Sequence, residues 1–174
     1  MHTKSIPLRF MLGSLALGLI GCSGPGSAHV LSTPPAQVSA VLHSSGPYWM
    51  SLDLNADGHL KVSGKSMNGP LDADAVLDPA DLEAVWAALA EASLDDLPAE
   101  LGRVWSGAGP GSSWRDVTIT LSSGEVRKWR NWIFDAERVK DDSDLRILAV
   151  RYEQVWDVLF ALAQDARSDG QDPE

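Results

Sequence analysis

Cysteine is almost missing from this chain: Cys22 stands alone in 174 residues. No disulfide can form within the chain, so packing has to hold the fold together. Basic side chains are also in short supply, with 14 Lys and Arg against 24 Asp and Glu and a net charge of −10. Nucleic acid needs a basic footprint, which excludes it as a partner. No apolar run reaches the roughly twenty residues of a membrane-spanning helix. Past residue 21 the histidines His29, His43 and His59 are scattered, and none stands at a metal-ligand spacing such as i, i+4. No Gly-x-Ser-x-Gly elbow occurs, so a nucleophilic serine has no supporting context. No metal and no cofactor is expected.

The amino-terminal segment carries Lys4 and Arg9 and no acid, followed by an apolar stretch over residues 10–20. That stretch has the length and flanks of a signal-peptide core. It ends in Leu19, Ile20, Gly21 and Cys22, which resembles the lipobox of bacterial lipoproteins. The resemblance covers residues 1–22. It implies transfer of a diacylglyceryl group to the Cys22 thiol, cleavage after Gly21, and acylation of the new amino terminus with palmitate-type chains. Each buried methylene contributes about 0.8 kcal/mol, and several chains together hold a protein firmly on a membrane. Ser23 follows the cysteine, where an Asp is associated with inner-membrane retention in Gram-negative lipoproteins. The resemblance therefore implies a lipid-anchored protein of the cell envelope, on the outer membrane if the envelope is Gram-negative.

Cleavage after Gly21 removes Lys4 and Arg9 and no acid, which takes the net charge from −10 to −12 over the remaining 153 residues. That length suits one domain. Residues 22–37 are small, polar and rich in Pro and Gly, as in a flexible tether. Residues 38–167 form the expected domain, and 168–174 a polar, disordered tail.

Two similar units fill the domain. In the first, Tyr48, Met50, Leu52 and Leu54 alternate with Trp49, Ser51 and Asp53, which is strand periodicity. Asn55, Ala56, Asp57 and Gly58 supply turn chemistry, and Leu60 and Val62 mark a returning strand. A further short strand is indicated around 38–42. A helix then opens at Asp78 with Pro79 in its first position, and Leu82, Val85, Trp86 and Leu89 share one face. In the second unit Val117, Ile119 and Leu121 alternate against Asp116, Thr118 and Thr120, and Ser122, Ser123 and Gly124 form the turn. A strand returns from 125 to about 133. Leu145, Leu148, Tyr152, Val155, Leu159 and Leu162 then line a helix of about 20 residues. The pattern predicts an α+β fold: an antiparallel sheet of two hairpins with two helices packed on it, in ββα-ββα order.

Residues 45–64, together with this pattern over roughly 40–160, also resemble a domain of unknown function that recurs in short bacterial lipoproteins. The cysteines that some relatives carry before the first strand are missing here. The resemblance implies a fold and no activity.

Asp53, Asn55, Asp57 and Gly58 have the spacing of an EF-hand calcium loop. However, that loop needs a Glu at its twelfth place and helices on both sides. Gly64 holds the twelfth place and the flanks read as strands, so a hairpin turn explains these residues. The run from Gly107 to Gly111 imitates a phosphate loop but lacks the following Lys and Ser/Thr, and Pro110 removes a backbone donor. The carboxylates Asp72, Asp74, Asp78, Asp95, Asp96, Asp141, Asp142 and Asp144 are placed at helix starts and in loops, where capping and solvation account for them.

The least ordinary stretch is Arg127, Lys128, Trp129, Arg130, Asn131 and Trp132: three cations and two indoles on one strand of an acidic chain. Alternation places Arg127, Trp129 and Asn131 on one side and Lys128, Arg130 and Trp132 on the other. In the plainer account one indole packs inward and the cations are solvated or paired with acids. In the functional account Arg127, Lys128, Trp129, Arg130 and Trp132 bind an anionic envelope component or an acidic protein surface. The function expected is a non-enzymatic, lipid-anchored binding or assembly module, with the membrane engaged through Cys22. The alternative is an envelope hydrolase built from scattered carboxylates and His59.

Overall fold

The computed structural model describes residues 5–6, 34–44, 46–67, 69–103, 112–133, 136–139 and 141–170, the side chains of 5–6, 95 and 168–170 excepted. Its strands are β1 (Ser5–Ile6), β2 (Gln37–His43), β3 (Trp49–Asn55), β4 (His59–Ser66), β5 (Gly69–Pro70), β6 (Ala73–Leu77), β7 (Glu100–Leu101), β8 (Trp114–Thr120) and β9 (Val126–Asn131). Helix α1 (Pro79–Glu91) follows β6 and α2 (Ser143–Gly170) follows β9. Short 3-10 turns lie at Leu94–Asp96 and Ala136–Val139.

Period-two alternation makes both hairpins. Asn55 closes the first turn by accepting the amide of Gly58, whose φ of 84° suits a residue without a Cβ. Asp78 caps α1 by accepting the amides of Ala80 and Asp81 at 2.9 Å, ahead of Pro79. That helix stops at Glu91, and Ser93 turns left-handed after it with φ 48°. The second helix has 28 residues and runs to Gly170, into the stretch expected as a tail.

All strands join one nine-stranded sheet, in the order β1-β6-β4-β3-β2-β8-β9-β7 with β5 beside β4. The sheet is mixed but largely antiparallel; β1 with β6 and β7 with β9 are its parallel pairs. The fold is therefore α+β, but not two hairpin–helix units in ββα-ββα order. β2 pairs with β3 on one side and β8 on the other, which joins the two hairpins edge to edge. β6 adds a strand before α1, and β7 adds one after it. Neither shows in the sequence pattern, because β6 is a five-residue run holding Asp74 and β7 has only two residues. Asp74 accordingly lies in a strand and not in a loop.

Both helices cover one face. Val38, Ala40, Met50, Leu52, Leu54, Leu60, Val62, Leu77, Val117, Ile119 and Trp129 point from the sheet into the core. Val85 and Leu89 of α1 and Tyr152, Val155, Leu159 and Leu162 of α2 meet them. Each such large side chain contributes roughly 1.5–3 kcal/mol on burial. α2 touches β6 toward one side of the sheet and β7 at its far edge. No described helix lies over the opposite, outer face. Among the described helices none is long and apolar enough to cross a membrane.

Candidate functional site

Strand register arranges the outer face in rows that run across the sheet. One row takes Asp74, Lys61, Asp53, Ser39, Thr118 and Lys128, from β6 through β4, β3, β2 and β8 to β9. The next takes Ser63, Ser51, Val41, Asp116, Arg130 and Glu100. Beyond it, Trp49 pairs with Lys65 and His43 with Trp114, and Trp132 follows β9 at the same level. The face is mostly polar up to this last row, where the rings gather.

Asp116 organises that end. Arg130 donates from Nε to Oδ1 at 2.7 Å and from Nη2 to Oδ2 at 2.9 Å, a two-pronged pair. Lys128 Nζ lies 3.0 Å from Oδ2, Trp114 Nε1 donates to it at 3.3 Å, and His43 Nε2 is 3.5 Å away. These neighbours cover the Asp116 side chain to 3 % exposure although it points to the open face. Burial alone would push its carboxyl pKa up. The hydrogen bonds and charges of Arg130 and Lys128 outweigh that and hold it below the usual carboxylate range. The same bond raises the Arg130 pKa above its ordinary value, against a smaller opposing effect of burial.

The rings stack on this clamp. His43 lies against Trp114 with centroids 4.5 Å apart and planes 22° off parallel. Trp114 and Trp132 are tilted at 5.0 Å. The Arg130 guanidinium sits over both indoles, 4.8 Å from the Trp114 centroid and 5.8 Å from that of Trp132. With Asp116 ionised, Lys128 and Arg130 leave the cluster one net positive charge.

A second polar group supports these strands from beneath. Arg115, opposite Asn131 on the inner face, donates from Nη2 to the Ile133 carbonyl at 2.9 Å and lies 5.4 Å over the Trp156 ring. Burial lowers its pKa, partly offset by Tyr152, Glu153 and Asp157. The Tyr152 hydroxyl donates to the Arg115 carbonyl at 2.8 Å, and burial pushes its pKa up. The Asn131 side-chain oxygen accepts the Ile133 amide at 2.8 Å.

The sequence-derived candidates divide between the faces. Lys128, Arg130 and Trp132 meet on the outer face. Trp129 is in the core at 5 % exposure, and Arg127 shares its side of the sheet while pairing with Glu125 at 2.7 Å. His43, Trp114 and Asp116 were not among the candidates, yet they complete the cluster. Asp116 carried a signal: aspartate is depleted in strands, and here it takes a polar place in a strand that alternates cleanly. Cys22 and the run from Gly107 to Gly111 lie outside the described residues.

The other candidates find local explanations. Asp53 accepts from Gln37 Nε2 and Ser39 Oγ on the neighbouring strand, and strands flank the turn on both sides. His59 Nε2 lies 2.9 Å from Asp74 Oδ1, a contact between solvent-exposed side chains on the outer face. A groove of about 500 Å³ between Pro34, Pro35, Ala56 and the outer side of α1 holds Glu83 as its one ionisable group. No cluster of three or more metal-capable side chains occurs among the described residues.

No known protein family's profile matches this chain, and no curated protein matches it at a significant level.

Proposed function

We propose that this chain is a lipid-anchored, non-enzymatic binding module of the cell envelope, held through Cys22, and that the outer sheet face around Asp116 is its binding surface. The observation that carries this reading is the open aromatic–cationic cluster. Three rings and a guanidinium are pre-stacked on one buried carboxylate, on a face that no described helix covers. Preordering of this kind lowers the entropic cost of contact with a partner. The partner class is an anionic envelope component, because the cluster keeps a net positive charge in an acidic protein. Processing after Gly21 would remove β1 with the leader and leave β6 as the edge of the sheet.

A hydrolase would need a concave site with convergent polar groups. His59 and Asp74 pair on an open surface, and Asp116 is held ionised by two cations, a poor state for a general acid. Geometry therefore favours binding.

The test is retention on isolated envelope material at low and high salt. His43→Gln and Lys128→Gln change half-exposed side chains, so the fold should survive while retention weakens. Wild-type retention should fade as salt shortens the screening length to about 3 Å at 1 M. Equal retention by wild type and the double variant would remove this face as the binding surface.

A further inference from the structure

The hairpin register brings four strand ends together: the end of β2 at His43, the start of β3 at Trp49, the end of β4 at Ser66 and the start of β8 at Trp114. Acidic charge is sparse or paired at this end. The chain has 24 Asp and Glu, yet residues 41–52 and 62–71 hold none. Asp116, beside His43 and Trp114, is paired with Arg130 and Lys128, and Asp72 accepts the Gly64 amide at 3.4 Å. The opposite end carries Asp57 in its first turn and Glu125 beside its second, and Asp78 and Asp81 open α1. Exposed apolar side chains gather at this end. Met67 is 83 % exposed, Trp49 48 % and Tyr48 39 %, with Lys65 beside Trp49 across the hairpin. The Arg167 side chain of α2 comes close to Gly69 in the neighbouring turn, on a stretch that also holds Asp165.

We infer that this tip is a membrane-dipping element, in which Tyr48, Trp49 and Met67 enter the interface of an anionic lipid bilayer and Lys65 meets its head groups. Trp and Tyr favour that boundary because their rings are apolar and their polar atoms stay wet. Interfacial binding grows with buried apolar area plus attraction between cations and anionic lipid. Acids at the tip would be repelled, and residues 41–52 and 62–71 lack them. An acidic protein partner would select cations without needing exposed Met67.

This inference rests on the lipid-anchor reading for its geometry. The tether enters at Gln37, and seven residues of β2 separate it from the tip, a distance of about 20 Å. The twelve residues from Cys22 to Thr33 can reach at most roughly 40 Å when fully extended, enough to let the domain lie down on the bilayer that holds its lipid. The tip would then be a second, weaker contact that orients the outer face.

The experiment uses the chain from residue 22 onward with Cys22→Ser, so that no acyl group contributes. The segment removed supplies no core side chain among the described residues. Sedimentation is compared with vesicles of phosphatidylcholine alone and vesicles containing phosphatidylglycerol. Wild type should pellet with the anionic vesicles. Trp49→Ser with Met67→Ser should lose about tenfold or more in partitioning, the effect of withdrawing two large apolar side chains. Ile147→Ser, exposed on α2, should partition as wild type, and all three should melt alike. Equal partitioning by the double variant overturns the inference, as does retention on isolated cell wall without binding to vesicles. Failure here leaves lipidation untouched, because that is read by fatty-acid labelling of Cys22.

Discussion

Arg130 grips Asp116 with two nearly parallel hydrogen bonds, at 2.7 and 2.9 Å, across neighbouring strands of the sheet. The carboxylate is covered while the Arg130 side chain remains 28 % exposed. The two partners therefore differ in what their loss exposes.

Replacing Arg130 by Gln leaves a covered carboxylate with Lys128 as its remaining close cation. Stripping one partner from a buried pair costs roughly 3–5 kcal/mol. Lys128 and the partial exposure of Arg130 should bring this to about 2–3 kcal/mol. Asp116→Asn leaves two cations that water can reach, and should cost less, about 1–2 kcal/mol. Urea unfolding of the two variants and their double mutant checks the order. A larger loss for Asp116→Asn than for Arg130→Gln would contradict it.

The same pair predicts the acid response. The folded-state pKa of Asp116 lies below its ordinary value, so its contribution is present above about pH 4 and is lost as pH falls through the folded value. Wild type should lose stability on acidification more steeply than Asp116→Asn. Urea midpoints measured from neutrality to about pH 2.5 read the difference, and parallel curves would show that the clamp does not titrate as argued.

Gly64 lies opposite Met50, and a Cβ there would stand 2.5 Å from the Trp49 carbonyl oxygen and 2.9 Å from the Met50 Cα. Both obstacles are backbone and cannot swing aside. Gly64→Ala should therefore destabilise by about 1–3 kcal/mol and displace the start of β3, including Trp49. Thermal unfolding, with amide exchange at Met50, is the measurement; an unchanged melting temperature would mean that the hairpin yields more easily than its packing implies.

Cys22→Ser should leave an unprocessed precursor that takes up no labelled fatty acid. Normal processing and labelling of that variant would end the lipid-anchor proposal.

Alternation over 48–54 and 117–121 was enough for the two hairpins, and the spacing of Leu82, Val85 and Leu89 for α1, because each follows from one element's own period. The faces of Lys128, Arg130 and Trp132 were legible for the same reason: in a strand, side is a matter of parity. The end of α2 was less legible, since its last turns carry polar residues that look like a tail. β6 and β7 were hidden because short edge strands form when a neighbour offers hydrogen bonds, not from a pattern of their own.

What the sequence determined by itself was therefore local: period, turns, caps, and an acidic chain with a basic-aromatic stretch. The tertiary structure decided who meets whom. His43 reaches Trp114 only because β2 pairs with β8, and residues 71 positions apart then stack at 4.5 Å. Asp116 becomes a hub only because β9 returns beside β8 and lays Lys128 and Arg130 against it. Pairing between distant strands depends on the summed burial of the whole inner face, a quantity no single segment carries, so the site came into view only with the sheet.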